Sequence, residues 1–313
     1  MELYKQIRSN KWKSFSMTLL VALLLMGIGV AVTFIWGQWG FLPVVIAFVV
    51  VVIMSIGSYW FSDRIALASA QAHEVSPDQA PQLHNIVEGL CIGAGMPKPR
   101  IYVCDDPAPN AFATGRNPDH AAIAVTTGLL ALMNRDELEG VLAHELSHIR
   151  NYDILLQSMV VVMVGAIVMI SNFFMYSLWF GGGRRSSNQG GNAGAILALV
   201  GLVLIILSPF AAKAIQLAVS RRRESLADVS GVEITRYPAG LRSALEKLQA
   251  NPHAVKHASQ ATAHMWIESP LDNKDKEHPG RARLNRLFMT HPPLDERIEA
   301  LKKLEMAGGQ PPS

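Results

Sequence analysis

Half of the 313 residues are hydrophobic and only 17% are charged, well below the roughly 25% usual for a soluble domain, which points to a membrane protein. A formal net charge of +3, with no basic run interleaved with aromatics, excludes a nucleic-acid groove. The two cysteines, Cys91 and Cys104, fit neither a disulfide framework nor a C-x-x-C site, so both read as reduced core residues.

In chain order, a tail carrying Lys5, Arg8, Lys11 and Lys13 precedes two uncharged stretches, residues 16–36 and 41–61, of 21 residues each. A spanning helix needs about 20 residues. Only four residues separate the two stretches, which predicts a transmembrane hairpin over residues 1–61. The first stretch is longer than a signal-peptide core, and no A-x-A cleavage site follows it. Basic residues before the first span favour a cytoplasmic tail, so two crossings return the chain to the cytoplasm.

A polar segment, residues 62–153, comes next. Ser76 and Pro77 open a predicted helix that ends near the glycines of "CIGAGMP". The runs "RIYVC", "NAFAT" and "AAIAV" read as short strands between turn residues. "NRDELEGVLAHELSHIRN" is helical, with Asn134 as N-cap and Glu137 completing a capping box. Residues 154–180 and 193–212 are again uncharged, joined by "GGGRRSSNQGG", and predict a second hairpin over 154–212. That hairpin either crosses the membrane or lies buried, because Ser171, Asn172 and Pro209 interrupt it. Residues 213–313 form a second polar part ending in the amphipathic "PLDERIEALKKLE". Arg221, Arg222 and Arg223 at its start read as interfacial anchors, although one could pair with Glu224 or Asp228. No G-x-x-x-x-G-K-[ST] run occurs, which argues against ATP-driven work.

The helix from 134 to 151 carries the chemistry. His144, Glu145 and His148 make an H-E-x-x-H pattern, for which ten histidines and fourteen glutamates predict roughly 0.01 chance matches in this chain. Spacing i, i+4 stacks both imidazoles on one helical face, where they can point at one ion. Glu145 stands beside them, placed to take a proton from an attacking water. Catalytic zinc takes three protein ligands. "IRNYDILL" follows His148, which excludes the H-x-x-G-x-x-H extension of the metzincins. Further on, "RRRESLADVSG" offers Glu224 and Asp228, also i, i+4: Glu224 could ligate the metal while Asp228 accepts a ring N–H from a ligating histidine. Alone, such a pair reads as solvated surface carboxylates. Beside H-E-x-x-H it becomes the candidate for the missing ligand.

"HELSH", a membrane hairpin, then "ESLAD", together with "PNAFATG" and "THPPLDERI", resembles the HtpX family of bacterial membrane metalloproteases. That family sits within the gluzincins, alongside the membrane CAAX-prenyl proteases and mitochondrial stress proteases. The resemblance spans essentially the whole chain. It implies an α+β gluzincin-like peptidase domain attached to about four transmembrane helices. One Zn2+ per chain would be held by His144, His148 and Glu224, with Glu145 as catalytic base and Asp228 orienting a histidine. Implied substrates are misfolded or damaged membrane proteins, cleaved in a stress response at the bacterial inner membrane by a domain facing the cytoplasm. The implied partners are the lipid bilayer and unfolded polypeptides, with neither nucleic acid nor ATP. Two alternatives stand beside it: site-specific processing of the CAAX type, and a non-catalytic membrane scaffold stabilised by zinc. His291, held before two prolines, could donate to the oxyanion of a tetrahedral intermediate or merely cap a turn; the resemblance favours the first. Asn110, Ala111 and Phe112 could offer a strand edge to an extended substrate, or form a plain structural strand.

Overall fold

The computed structural model describes residues 42–160, 221–251, 265–267 and 293–306, with Val255 and five isolated positions before residue 20. All but two residues of the expected span 16–36, the whole of 193–212, most of 154–180 and His291 lie outside the described residues. Helix α1 (Leu42–Ser69) contains the uncharged stretch up to Phe61. Counted over the residues described with their side chains, no helix is long and apolar enough to cross a membrane. Leu42, Val45, Val49, Ile53, Ile56 and Trp60 of α1 are exposed. Their spacing of three or four residues draws one apolar stripe along the helix.

Four strands follow as one mixed sheet: β1 (His73–Glu74), β2 (Arg100–Cys104), β3 (Ala111–Gly115) and β4 (Ala121–Thr126), in the order β1-β2-β4-β3. β2 and β4 run parallel, with Ile101 opposite Ile123; β3 pairs antiparallel to β4, with Phe112 opposite Ala124. β1 was not legible in the sequence. It is two residues long and rests on pairing with β2 alone. The sheet is covered on both faces, which is why its strands read as unbroken apolar runs. Ile101, Val103, Ala111, Ala113, Ile123 and Val125 face one core, and Tyr102, Cys104, Phe112, Ala122 and Ala124 face another closed by Ala66, Leu67, Ala70 and Trp266.

Helix α2 (Pro81–Ala94) begins later than the expected Ser76. Ser76 instead opens a turn, its carbonyl accepting from the N–H groups of Gln79 and Ala80, and Pro81 supplies the first helical position. The end is as expected: Gly95 adopts the left-handed conformation, and the N–H of Met96 bonds back to the Cys91 carbonyl. After the short helix α3 (Thr127–Leu132) comes α4 (Arg135–Arg150), whose expected capping box is present. Asn134 accepts from the Glu137 N–H at 2.9 Å, and the Glu137 carboxylate accepts from the Asn134 N–H at 2.8 Å.

Helices α5 (Arg221–Thr235) and α6 (Pro238–Ala250) pack along α4, and α7 (Leu294–Met306) packs against α6 and α5. The α4–α5 crossing is set by Gly231, where a Cβ would stand 3.1 Å from the His144 nitrogen. At the α4–α6 crossing, a Cβ on Gly140 would meet the Leu241 nitrogen at 2.5 Å. The two backbones can approach so closely only because neither position carries a side chain. Beyond α4, residues 153–160 are helical and all buried. The beginning of the expected third span therefore lies buried inside the folded body. There the Ser158 hydroxyl sits 3.0 Å from that of Thr114 and accepts the Gly115 N–H at 3.3 Å.

Candidate metal centre

α4 presents His144 and His148 from consecutive turns, their rings 4.8 Å apart between centroids and at right angles. The two Nε2 atoms are 3.2 Å apart. From α5, Glu224 brings Oε2 to 3.7 Å from His144 Nε2 and Oε1 to 3.6 Å from His148 Nε2. Ligand atoms of all three residues lie within 4.8 Å of one another, and all three side chains are buried. Tetrahedral zinc with Zn–N bonds of about 2.0–2.1 Å would hold two nitrogens roughly 3.3 Å apart, which these imidazoles match. Two ring nitrogens turned toward one point also repel unless a proton or a metal cation lies between them. The donor set therefore fits a divalent metal ion.

Each histidine is held from behind. Asp228 Oδ1 lies 3.0 Å from His144 Nδ1, and Asp153 Oδ2 lies 3.0 Å from His148 Nδ1. Arg297 of α7 grips Asp228 through two hydrogen bonds, Nη2 to Oδ1 at 2.6 Å and Nε to Oδ2 at 2.9 Å, and its Nη1 reaches 3.8 Å from Glu224. Arg223 Nε is 3.8 Å from Asp153 Oδ1. Both guanidinium groups are 3% exposed, so Arg223 is not the interfacial anchor expected from sequence.

Burial, and after it the charge of Arg297, holds His144 below its ordinary range and so keeps it neutral, as a ligand must be. For Asp228, burial opposes the charge, but Arg297 and His144 outweigh it and keep the carboxyl below its usual range. At His148 burial also opposes the charge, yet the Asp153 hydrogen bond and the charge of Glu224 prevail and lift the ring to about 9. Metal capture at His148 thus competes with a proton.

Glu145 is 2% exposed. Burial pushes its carboxyl up to about 7, against the lowering influence of His148, Arg297 and the N–H of Ala113. A base poised near neutral pH is what proton transfer there requires.

The outer edge of β3 borders this centre. The Thr126 N–H donates to the Asn110 carbonyl, so by alternation Ala111, Ala113 and Gly115 turn their backbone groups away from β4. Asn110, Ala111 and Phe112 are the residues expected to offer this edge to an extended substrate. All three are buried, and the Ala111 carbonyl already accepts from the Ile267 N–H at 3.0 Å. Ala113 is turned to Glu145, and the Phe112 ring packs against Trp266 at 4.7 Å between centroids.

Of the residues singled out from sequence, His144, Glu145, His148, Glu224 and Asp228 come together, Asn110, Ala111 and Phe112 lie alongside, and His291 falls outside the described residues. Asp153 and Arg297 were overlooked, and Arg223 was read only as one of three interfacial arginines, one of which could pair with Glu224 or Asp228. Asp153 is five residues beyond His148, and Arg297 lies within "THPPLDERI"; one arginine so close to the candidate His291 was a signal available to be read.

Residues 77–305 match the family described as Peptidase family M48. The chain is 44% identical over 304 residues to the protease HtpX homolog of Caldanaerobacter subterraneus subsp. tengcongensis, covering 96% of this chain and 98% of that one. It is 48% identical over 288 residues to the protease HtpX homolog of Pyrococcus furiosus, covering 91% and 93% respectively. Among solved structures, that of S. mikatae Ste24p aligns at 19% identity with a TM-score of 0.47, covering 95% of this chain and 67% of that one.

Proposed function

Because the chain belongs to peptidase family M48, as the match over residues 77–305 and the relatives above show, we propose that it is a membrane-bound zinc endopeptidase with His144, His148 and Glu224 as metal ligands and Glu145 as base. The observation that carries this is the convergence of the three ligand residues beside a buried carboxyl poised near pH 7. The ion, when bound, acidifies a water and polarises the scissile carbonyl. Glu145 accepts the proton of the attacking water and delivers it to the leaving amine. Asp228 and Arg297 keep His144 oriented, and His291, before two prolines, is assigned to the oxyanion. An extended substrate pairs with the outward groups of β3 by strand addition, which requires Ile267 to withdraw from Ala111.

The substrates proposed are misfolded or damaged membrane proteins. The exposed apolar stripe of α1 supports a membrane setting, because a face this large and apolar is costly in water. Tyr59, Trp60 and Phe61 end that stripe beside Asp63 and Arg64, the arrangement of a membrane–water boundary. With the basic tail before residue 16, this supports an inner-membrane protein whose catalytic domain faces the cytoplasm. The scaffold alternative calls for a closed site of four ligands, whereas the cluster has three members among the described residues.

The test is cleavage of an unfolded membrane protein by zinc-loaded wild type against Glu145→Gln. The variant should retain its metal and lose cleavage by orders of magnitude, since glutamine keeps the shape but cannot accept a proton. Near-normal turnover would sink the mechanism. Cleavage confined to one dedicated prenylated substrate would favour the CAAX-type alternative.

A further inference from the structure

We infer that Asp153 and Arg223 are positioning residues of the metal centre, forming a second His–Asp–Arg arm on His148 that matches the arm made by Asp228 and Arg297 on His144. The inference rests on the reading of this centre as a metal site.

Geometry carries it. Asp153 Oδ2 lies 3.0 Å from His148 Nδ1, with the two side chains 2% and 6% exposed. A carboxylate at Nδ1 fixes the ring proton there and leaves the Nε2 lone pair turned toward the ion. His148 Nε2 is the atom 3.6 Å from Glu224 and 3.2 Å from His144 Nε2.

The backbone shows how Asp153 is brought to this position. On an uninterrupted helix, a residue five places after His148 would lie roughly 140° around the axis from it. α4 stops at Arg150, and Tyr152 takes a positive φ of 59°, a conformation that a bulky non-glycine residue adopts at some cost. That turn bends the chain back, so that Asp153 meets the ring while opening the next helical stretch.

Arg223 completes the arm. Its Nε stands 3.8 Å from Asp153 Oδ1, and the residue is 3% exposed. A guanidinium taken out of water needs nearby negative charge. Here Asp153 and Glu224 supply it, and Arg223 immediately precedes Glu224 on α5. The same side chain thus fastens the His148 support to the helix that delivers the third ligand. Each histidine thereby has its own carboxylate, and each carboxylate its own buried arginine.

The experiment uses the full chain in detergent, stripped of metal and titrated with Co2+ and Zn2+ against a competing chelator. The variants are Asp153→Asn, Asp153→Ala and Arg223→Lys. Asp153→Ala should weaken binding by about 10–100-fold, the range typical of lost carboxylate–histidine support. Asp153→Asn should lose less, because its amide oxygen still accepts the Nδ1–H. Both should alter the visible Co2+ spectrum as His148 reorients, a change that a purely structural residue would not cause. Arg223→Lys keeps the charge and should bind more tightly than either. If the alanine variant does not fold, the near-isosteric asparagine variant decides. Wild-type affinity and an unchanged Co2+ spectrum in the Asp153 variants would overturn this proposal alone. Failure of the wild type to bind metal would overturn both it and the metal-site reading beneath it.

Discussion

The two arms of the metal centre do the same job by different routes. His148 and Asp153 are five residues apart and meet through a single turn. Asp228 and Arg297 are 69 residues apart, and the arm they build on His144 exists only when α4, α5 and α7 dock together. The arginine contacts differ as well. Arg297 holds Asp228 by two short bonds, whereas Arg223 stands 3.8 Å from Asp153. Bidentate guanidinium–carboxylate pairs are stronger and more directional than single long contacts. The comparison teaches that the whole His144 arm registers tertiary docking, while in the His148 arm local chain geometry assembles the His–Asp pair and docking of α5 adds only the arginine.

The most severe way to break that distinction is Arg297→Met. It removes the bidentate partner of a buried Asp228 and the Nη1 contact to the Ile267 carbonyl, and should cost about 3–5 kcal/mol, the range for stripping one member of a buried ion pair. Arg223→Met should cost clearly less. Thermal unfolding of the metal-free proteins in detergent measures both, and equal losses would erase the difference between the arms. Asp228→Asn comes next, with metal affinity expected to fall about 10–100-fold while the fold persists. Because each carboxylate supports its own histidine, combining Asp228→Asn with Asp153→Asn should multiply the two losses; a strongly non-multiplicative result would mean that the supports are coupled through Glu224, which both arginines approach. The smallest effect is expected from Gly231→Ala. Alanine gains about 1 kcal/mol of helix propensity over glycine. Its Cβ, however, would press on the backbone of α4 at His144, and overpacking typically costs about 1–3 kcal/mol. A net loss near 1 kcal/mol with weaker metal binding should follow, and a gain in stability would show that the two helices separate freely.

The parts legible in the sequence are those whose physics is local. The Asn134–Glu137 capping box, the spacing of His144 and His148, the apolar runs of β2, β3 and β4, and the glycine stop of α2 each depend on residues within a few positions of one another. The delayed start of α2 was missed because Ser76 satisfies a tight turn as readily as a helix cap. Arg223 was misread because a basic residue after an apolar stretch looks like an interfacial anchor until Asp153 is found beside it.

What the sequence by itself determined is therefore the chemistry of the centre: two imidazoles on one helical face, a carboxyl next to them, and a second helix bearing a carboxylate pair at the same spacing. Tertiary structure alone decided which Asp serves which histidine, that Arg297 crosses from the last helix to brace the site, and that Ile267 covers the strand edge at Ala111. The physical reason is range. Helical periodicity fixes neighbours three and four residues apart, but contacts across 30 to 150 residues depend on how closely helices pack. Here that closeness is set by glycines such as Gly231 and Gly140, whose missing side chains leave no pattern in the sequence.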